Sequence, residues 1–330
     1  MPRPVAVLSV CVLFAMLLLS GCGGDGEDSS DSTKSTATTG TAPAVSFPRG
    51  GNKTMRALRA SAPEQAVFAP SVSQLRPGRN RIGFALFDTA RAQVEPDAVA
   101  VYVSQNDGRR LRGPFVARQE SLRVKPQFMS RQTAADLDDV DSFWVADVPL
   151  ERRGQYILTA LVSIDGELAS TSQIEMRAGQ RGGPPDVGEE AIRVSTDTVA
   201  SAAGNLESID TRIPPLAELH EDDFADVLGK EPVVLAFATP QLCQTRVCGP
   251  VVDVVAEVKS SVGEGVKFIH QEIYVDNDIN KGFRPQVGKW RLPTEPWTFV
   301  IGRDGRVVER FEGALSVNEL TAAVEKLKSS

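Results

Sequence analysis

The first twenty residues constrain this chain more than any other segment. Arg3 supplies a short positive start, and the residues from Val5 to Leu19 are almost wholly apolar. A run of about 15 residues is short for a transmembrane helix, which needs about 20, but it is typical of the hydrophobic region of a secretory signal peptide. We therefore expect export from the cytoplasm. No second hydrophobic run of spanning length follows in the sequence.

The apolar run ends in small residues before a cysteine, Leu19-Ser20-Gly21-Cys22. This ending resembles the lipobox of bacterial lipoproteins. The resemblance implies a lipoprotein signal peptide over residues 1–21, lipidation of Cys22, and anchoring at the extracytoplasmic side of the cell membrane. The alternative is an ordinary signal peptide with an incidental cysteine. Residues 22–65 begin with a long stretch of small and polar residues, which predicts a disordered tether.

The expected export limits which cysteines can pair with each other. Of the four in the chain, Cys11 leaves with the signal peptide and Cys22 carries lipid, so Cys243 and Cys248 remain as one isolated pair. Outside the cytoplasm such a pair can form a disulfide. The net charge of −7 argues against binding nucleic acid through bulk charge, and we expect no nucleic-acid partner.

Residues 66–178 show an all-β pattern. Four segments alternate apolar and polar residues, and turn residues such as Asp165-Gly166 separate them. These segments are 81–87, 99–103, 143–148 and 156–162. Short strands with regular turns predict a β-sandwich of immunoglobulin-like type, with Trp144 in its core. We expect this domain to serve in binding or spacing. Residues 179–215, which open with glycines and prolines, are predicted to be a linker.

Residues 216–330 alternate strand and helix signals, which predicts an α/β layer structure. The expected helices cover 216–228, a segment after Cys248, and 316–328, where Ser316 and Glu319 have capping-box spacing. The expected strands cover 233–238, 266–270 and a hairpin around Asp304-Gly305.

This order of elements resembles the thioredoxin fold. Cys248-Gly249-Pro250 looks like the start of the active-site helix, and Thr294-Glu295-Pro296 looks like the cis-proline loop. The spacing is Cys-x4-Cys, a variant within the thioredoxin and peroxiredoxin superfamily. The resemblance implies that Cys243 and Cys248 are catalytic and that Glu295 and Pro296 contact the substrate. The predicted fold class is therefore an all-β immunoglobulin-like sandwich followed by an α/β thioredoxin-like domain.

The chemistry of the pair assigns each cysteine a role. A thiolate, not a thiol, attacks a disulfide, and the positive end of a helix dipole favours the thiolate. We expect Cys243 at the helix start with Arg246 nearby, which makes Cys243 the nucleophile and Cys248 the resolving thiol. Glu295 would oppose the thiolate if it lay close. The alternatives are an inert structural disulfide or two unrelated core thiols.

These observations predict a membrane-anchored, extracytoplasmic thiol–disulfide oxidoreductase acting on protein thiols or disulfides. Two alternatives stay open, a non-catalytic surface binding protein and a thiol peroxidase. No cofactor is expected. No metal is expected either, because only His270 could join the cysteines as a third ligand, and a histidine within a strand is more often structural.

Overall fold

The computed structural model describes residues 45–135, 140–180, 182–243 and 247–328. The expected signal peptide, Cys22 and the first half of the expected tether lie outside these residues, so their roles stay predictions. From Val45 onward the described chain forms one compact unit. Within it, no helix is long and apolar enough to cross a membrane.

The described residues before 180 form a nine-stranded sheet. Its strands are β1 (Glu64–Pro70), β2 (Gly78–Phe87), β3 (Ala98–Gln105), β4 (Arg112–Val116), β5 (Arg118–Ser121), β6 (Ser142–Leu150), β7 (Gly154–Ile164), β8 (Glu167–Thr171) and β9 (Ile174–Ala178). Their order is β4-β3-β7-β8-β1-β2-β6-β5, with β9 paired to β7. β1 and β8 are parallel, and the other neighbouring strands are antiparallel.

Buried side chains from the nine-stranded sheet form one large apolar core. Phe84 of β2 and Trp144 of β6 share this core with Val101 of β3 and Leu158 of β7, which come from the other end of the strand order. The four predicted strand segments are confirmed as parts of β2, β3, β6 and β7, and Trp144 is 5% exposed. These strands are also covered on their other face, since Tyr102 of β3 and Phe143 of β6 belong to separate apolar clusters.

The C-terminal part contains a four-stranded sheet. Its strands are β10 (Val233–Phe237), β11 (Lys267–Gln271), β12 (Trp297–Ile301) and β13 (Val307–Glu312), in the order β11-β10-β12-β13. β10 is parallel to β11 and antiparallel to β12, and β12 is antiparallel to β13. The strand predicted over 233–238 is confirmed as β10, and all its residues are buried, as is typical of a central strand with both faces covered.

The helices are α1 (Met55–Arg59), α2 (Arg131–Ala135), α3 (Phe224–Val227), α4 (Cys248–Val262), α5 (Pro285–Trp290) and α6 (Val317–Lys328). Val234 of β10 shares a core with α4 and α6, whereas Leu235 shares one with α3 and α5. The predicted capping box of α6 is confirmed. The N–H of Glu319 donates to Ser316 Oγ (3.1 Å), and the N–H of Ser316 donates to the Glu319 carboxylate (3.4 Å).

The helix predicted over residues 216–228 is wrong. A single 3₁₀ turn at Ala217–Leu219 is followed by α3, which starts only after Asp223. Asp223 caps α3 by accepting a hydrogen bond from the N–H of Ala225 (2.9 Å). His220 lies between the two pieces and is fully buried. The cap divides the segment, because an N-cap residue requires non-helical backbone and Asp223 is extended (φ −81°, ψ 125°).

The predicted fold class, an all-β immunoglobulin-like sandwich followed by an α/β thioredoxin-like domain, is wrong. The described chain is mostly β-sheet, with two sheets and 22% helix. Among the described residues only α4 and α6 are longer than six residues, and the other helices are short pieces scattered along the chain. Apolar repeats such as the one over 216–228 led to a prediction of too much helix, because tertiary contacts bury these residues in turns instead.

Arg81 of β2 joins the nine-stranded sheet to α6. Its guanidinium donates to both carboxylate oxygens of Glu319 (2.8 and 2.7 Å) and to the carbonyl of Ala314 (2.8 Å). The guanidinium also lies over the rings of Phe143 and Phe311, at 5.7 and 5.3 Å from their centres. The side chains of Arg81 and Glu319 are 16% and 7% exposed, so this ion pair is largely removed from water.

A buried carboxylate joins β13 to the segment between β1 and β2. Glu312 accepts hydrogen bonds from the N–H and hydroxyl of Ser73 (2.7 and 2.5 Å) and from the N–H of Gln74 (3.2 Å). The hydroxyl of Thr294, just before β12, donates to the same carboxylate (2.7 Å). Burial raises the pKa of Glu312, and these hydrogen bonds offset part of that rise.

We expect Arg81→Ala to lower the free energy of unfolding by about 2 kcal/mol, because the buried Glu319 would lose two charged hydrogen bonds and keep only Arg118, whose side chain is 47% exposed, as a cationic partner. Arg79→Ala is the matched control on the same strand, since the Arg79 side chain is 77% exposed in its pair with Asp147. The control should change stability by less than about 1 kcal/mol. Urea denaturation of both variants measures the difference, and equal losses would contradict the interpretation.

Candidate functional site

The two predicted site cysteines form a disulfide between β10 and α4. Residues 238–247, here called the cysteine loop, leave β10 and lead to Cys248, the first residue of α4. Cys243 in this loop is bonded to Cys248, with a Cα–Cα distance of 5.9 Å. The expectation that the helix starts at Cys243 is wrong. Residues five apart on an ideal helix point about 140° away from each other, so the disulfide requires Cys243 to lie outside the helix.

The two sulfurs have different environments. Cys248 is fully buried, whereas Cys243 is partly exposed. The backbone N–H of Cys248 donates to the sulfur of Cys243 (3.3 Å). This donor belongs to the first turn of α4, where N–H groups have no partner within the helix. The contact therefore supplies Cys243 with the positive helix end that the sequence predicted, although Cys243 itself precedes the helix.

Arg246, predicted to add positive charge beside Cys243, lies outside the described residues, as do Gln244 and Thr245. Its contribution stays a prediction.

The Glu295-Pro296 peptide bond is cis, as the sequence predicted. Phe237 at the end of β10 pairs with Trp297 at the start of β12, so Pro296 lies beside the strand end from which the cysteine loop departs. Pro296 is buried and Glu295 is partly exposed. The Glu295 carboxylate accepts a hydrogen bond from the hydroxyl of Tyr274 (3.4 Å). The roles of both residues toward a substrate stay predictions.

An ion pair is buried beneath the cysteine-bearing end of α4. Asp253, in the second turn of the helix, accepts a hydrogen bond from Arg212 Nε (2.8 Å). It also accepts from the N–H of Ser130 (2.9 Å) and the hydroxyl of Thr133 (2.8 Å). Asp253 is fully buried and the side chain of Arg212 is 3% exposed. Burial raises the pKa of Asp253, and these partners only partly oppose that rise.

A second buried carboxylate ties the cysteine loop to the segment before it. Glu272, just after β11, accepts from the N–H and the hydroxyl of Thr211 (2.8 and 2.5 Å). The same hydroxyl oxygen accepts from the N–H of Gln241 (3.2 Å), two residues before Cys243. Sequence reasoning missed Thr211 and Arg212 because it treated residues 179–215 as a linker. The one local signal for burial was the weaker polarity of the segment after Val187.

Comparisons with known proteins add little. No family model and no curated protein matches the chain. Among solved structures, the chain is similar to the crystal structure of the Lin-41 filamin domain, with 16% sequence identity and a TM-score of 0.20. This match covers 40% of the present chain and 99% of the filamin domain. A likeness at that score carries no weight for fold or function, so the site is interpreted from its own geometry.

We expect Arg212→Ala to lower the free energy of unfolding at neutral pH by about 3–5 kcal/mol, because Asp253 would be left buried and unpaired. Arg306→Ala removes an exposed pair with Glu190, in which the side chains are 49% and 79% exposed, and should cost less than about 1 kcal/mol.

The loss in free energy of unfolding that Arg212→Ala causes should also become smaller in acid. The pKa of Asp253 in the folded protein lies above its ordinary value of 3.8. The buried charge of Asp253 therefore lowers the free energy of unfolding at pH values above the folded pKa. That cost is relieved as the pH falls through the folded pKa towards 3.8. Denaturation curves measured at several pH values test this. A deficit that is independent of pH would contradict the interpretation.

Proposed function

We propose that this protein is a membrane-anchored, extracytoplasmic thiol–disulfide oxidoreductase that uses the Cys243–Cys248 couple. The observation that carries the proposal is the asymmetry of the disulfide. Cys243 is a partly exposed residue whose sulfur accepts a hydrogen bond from the first turn of a 15-residue helix, while Cys248 is fully buried. An exchange reaction needs this arrangement, because one thiol must meet the client while the other must stay close and protected.

The asymmetry supports Cys243 as the nucleophile. In the reduced protein, the Cys243 thiolate attacks a client disulfide, forms a mixed disulfide and releases one client thiolate. The Cys248 thiolate then attacks the Cys243 sulfur, which releases the second client thiolate and closes the internal disulfide. Two electrons pass from the protein to the client, and the reverse sequence oxidises a client dithiol. The N–H of Cys248 favours the thiolate form of Cys243 in both directions.

The proposed client contact is the loop around the cis Glu295-Pro296 bond. It lies beside the end of β10 that leads into the cysteine loop, so a client chain bound there would be close to Cys243. The local resemblance of the cysteine and proline motifs to the thioredoxin and peroxiredoxin superfamily supports this assignment. The hydrogen bond between Glu295 and Tyr274 would hold the loop in place.

A redox titration tests whether the couple is active or merely structural. We expect Cys243 and Cys248 to titrate as a reversible two-electron couple between about −270 and −120 mV, the range of thioredoxin-like reductants and oxidants. Alkylation of the thiols released at each potential, read as a mass shift, measures the reduced fraction. A potential below about −300 mV is typical of a structural disulfide and would contradict the proposal.

Trapping of clients tests the two roles. Cys248→Ser should accumulate mixed disulfides with extracytoplasmic proteins, because the resolving thiol is missing, whereas Cys243→Ser should accumulate none. Non-reducing gels of cells expressing each variant show the adducts. The opposite pattern would reverse the roles. If both variants fold and neither traps a client, the proposed thiol–disulfide exchange with proteins is wrong, and the binding-protein alternative gains support.

The proposed anchor is a lipid on Cys22. We expect the mature protein to partition into the detergent phase, and Cys22→Ala to shift the folded part into the aqueous phase or to leave the precursor uncleaved. Cys11→Ala is the matched control, since Cys11 should leave with the signal peptide, and its partitioning should not change. Wild-type protein in the aqueous phase would contradict the lipoprotein assignment without affecting the redox proposal.

A further inference from the structure

Both histidines of the chain lie in one buried cluster with Asp210. His220 and His270 are 0% exposed and Asp210 is 1% exposed. The two imidazole rings are 5.2 Å apart. Asp210 belongs to the segment before β10, His220 follows the 3₁₀ turn at Ala217–Leu219, and His270 is on β11. Three separate pieces of chain thus bring one carboxylate and two imidazoles together, away from solvent.

One nitrogen of each ring faces a backbone carbonyl. His220 Nδ1 lies 3.2 Å from the carbonyl oxygen of Asp197, and His270 Nε2 lies 3.0 Å from that of Ala238. A carbonyl oxygen only accepts hydrogen bonds, so these two nitrogens carry hydrogen. In the neutral rings, His220 Nε2 and His270 Nδ1 therefore hold lone pairs. Carbonyl contacts of this kind are how proteins fix the tautomer of a histidine that binds a metal.

Both lone-pair nitrogens point at Asp210. His220 Nε2 is 3.5 Å from Asp210 Oδ2, and His270 Nδ1 is 3.7 Å from Asp210 Oδ1. These distances are too long for N–H···O hydrogen bonds, which lie at about 2.7–3.2 Å, and neither nitrogen has a hydrogen-bond partner among the described residues. With both rings neutral, two buried lone pairs and a carboxylate facing one another would repel each other, so the cluster requires a cation, which is either a proton added to an imidazole or an ion that all three side chains share.

The positions of these atoms suit a shared cation. In a tetrahedral zinc site with bonds of about 2.0–2.1 Å, neighbouring ligand atoms are about 3.3–3.5 Å apart. The 3.5 Å between His220 Nε2 and Asp210 Oδ2 matches this spacing, and the 3.7 Å from His270 Nδ1 leads to the other oxygen, so both carboxylate oxygens together with the two imidazoles would offer four donor atoms. One ligand atom from each of the three side chains lies within 4.8 Å of the others. Asp210 is itself held in place, because it accepts hydrogen bonds from the N–H of Arg212 (2.9 Å) and the N–H of Leu216 (2.8 Å). Its carboxylate is thereby oriented, as carboxylate ligands of metals are.

We propose that Asp210, His220 and His270 bind one divalent transition-metal ion, with zinc as the best match to a set of two imidazoles and a carboxylate. This departs from the sequence-based expectation of no metal. The ion would join the segment around Asp210 to β11. Because the cluster is closed to solvent, its role would be structural. The proposed site is independent of the proposed redox function, since neither cysteine belongs to it.

Metal content of the full chain tests the proposal. The protein, purified in detergent without a histidine tag, is unfolded with chelator, refolded with excess Zn²⁺ and dialysed. We expect about one zinc per chain and a higher Tm than after refolding with chelator alone. Refolding with Co²⁺ should give the absorption bands of nitrogen and oxygen ligation, without the charge-transfer band that thiolate ligands produce.

Variants decide which residues hold the ion. Asp210→Asn and His270→Gln should each weaken zinc binding by more than about 100-fold, beyond the effect of losing an outer-shell partner. Asp222→Asn is the matched control, because Asp222 is close in sequence but pairs with Lys267 (3.1 Å). The double variant Cys243→Ser with Cys248→Ser should keep full zinc content.

Two results would overturn the proposal. The first is wild-type protein that refolds to the same Tm with Zn²⁺ or chelator and retains less than about 0.1 zinc per chain. The second is zinc retained by Asp210→Asn and His270→Gln alike. The wild-type measurements decide the question even if a variant fails to fold. Loss of zinc only in the double cysteine variant would place the metal on the thiols instead.

Discussion

The structure around the cysteines depends on the burial of one charge, the carboxylate of Asp253 in α4. A buried carboxylate requires a cation and several hydrogen-bond donors. Arg212 comes to it from the segment before β10, and Ser130 and Thr133 come from the long connection between β5 and β6. Two distant segments therefore converge on the helix that begins at Cys248. The position of the disulfide follows from how this helix is fixed.

Local signals in the sequence predicted local structure well. The capping box of Ser316 and Glu319, the buried strand β10 and the cis bond before Pro296 each depend on a few neighbouring residues, and each is found in the structure. The start of α4 was misplaced, because a helical pattern does not reveal that a disulfide must draw Cys243 out of the helix. The cysteine pair itself was recognisable because the expected loss of Cys11 and lipidation of Cys22 would leave no other cysteine partner for either residue.

Long-range pairing was not readable from the sequence. Arg212 and Asp253 are far apart in the chain, and Arg212 lies in a segment whose opening glycines and prolines suggest a linker. The same holds for Asp210, whose two histidine neighbours come from different elements. Their polar residue types do not distinguish a solvated loop from a buried network, since only the tertiary structure decides which one forms. The predicted fold class was wrong for a related reason. It divided the chain at residues 179–215, although this segment supplies Arg212 to the buried network around Asp253.

The shared support of α4 has a consequence for dissecting the molecule. A fragment restricted to residues 216–330 would contain both cysteines, but it would lack Arg212, Ser130 and Thr133. Asp253 would then have lost every partner named above, and Glu319 would have lost Arg81. Folding of such a fragment would bury the carboxylates of Asp253 and Glu319 without these partners. The two cysteines therefore depend on residues outside such a fragment, and the preceding part of the chain acts as an intramolecular scaffold for α4.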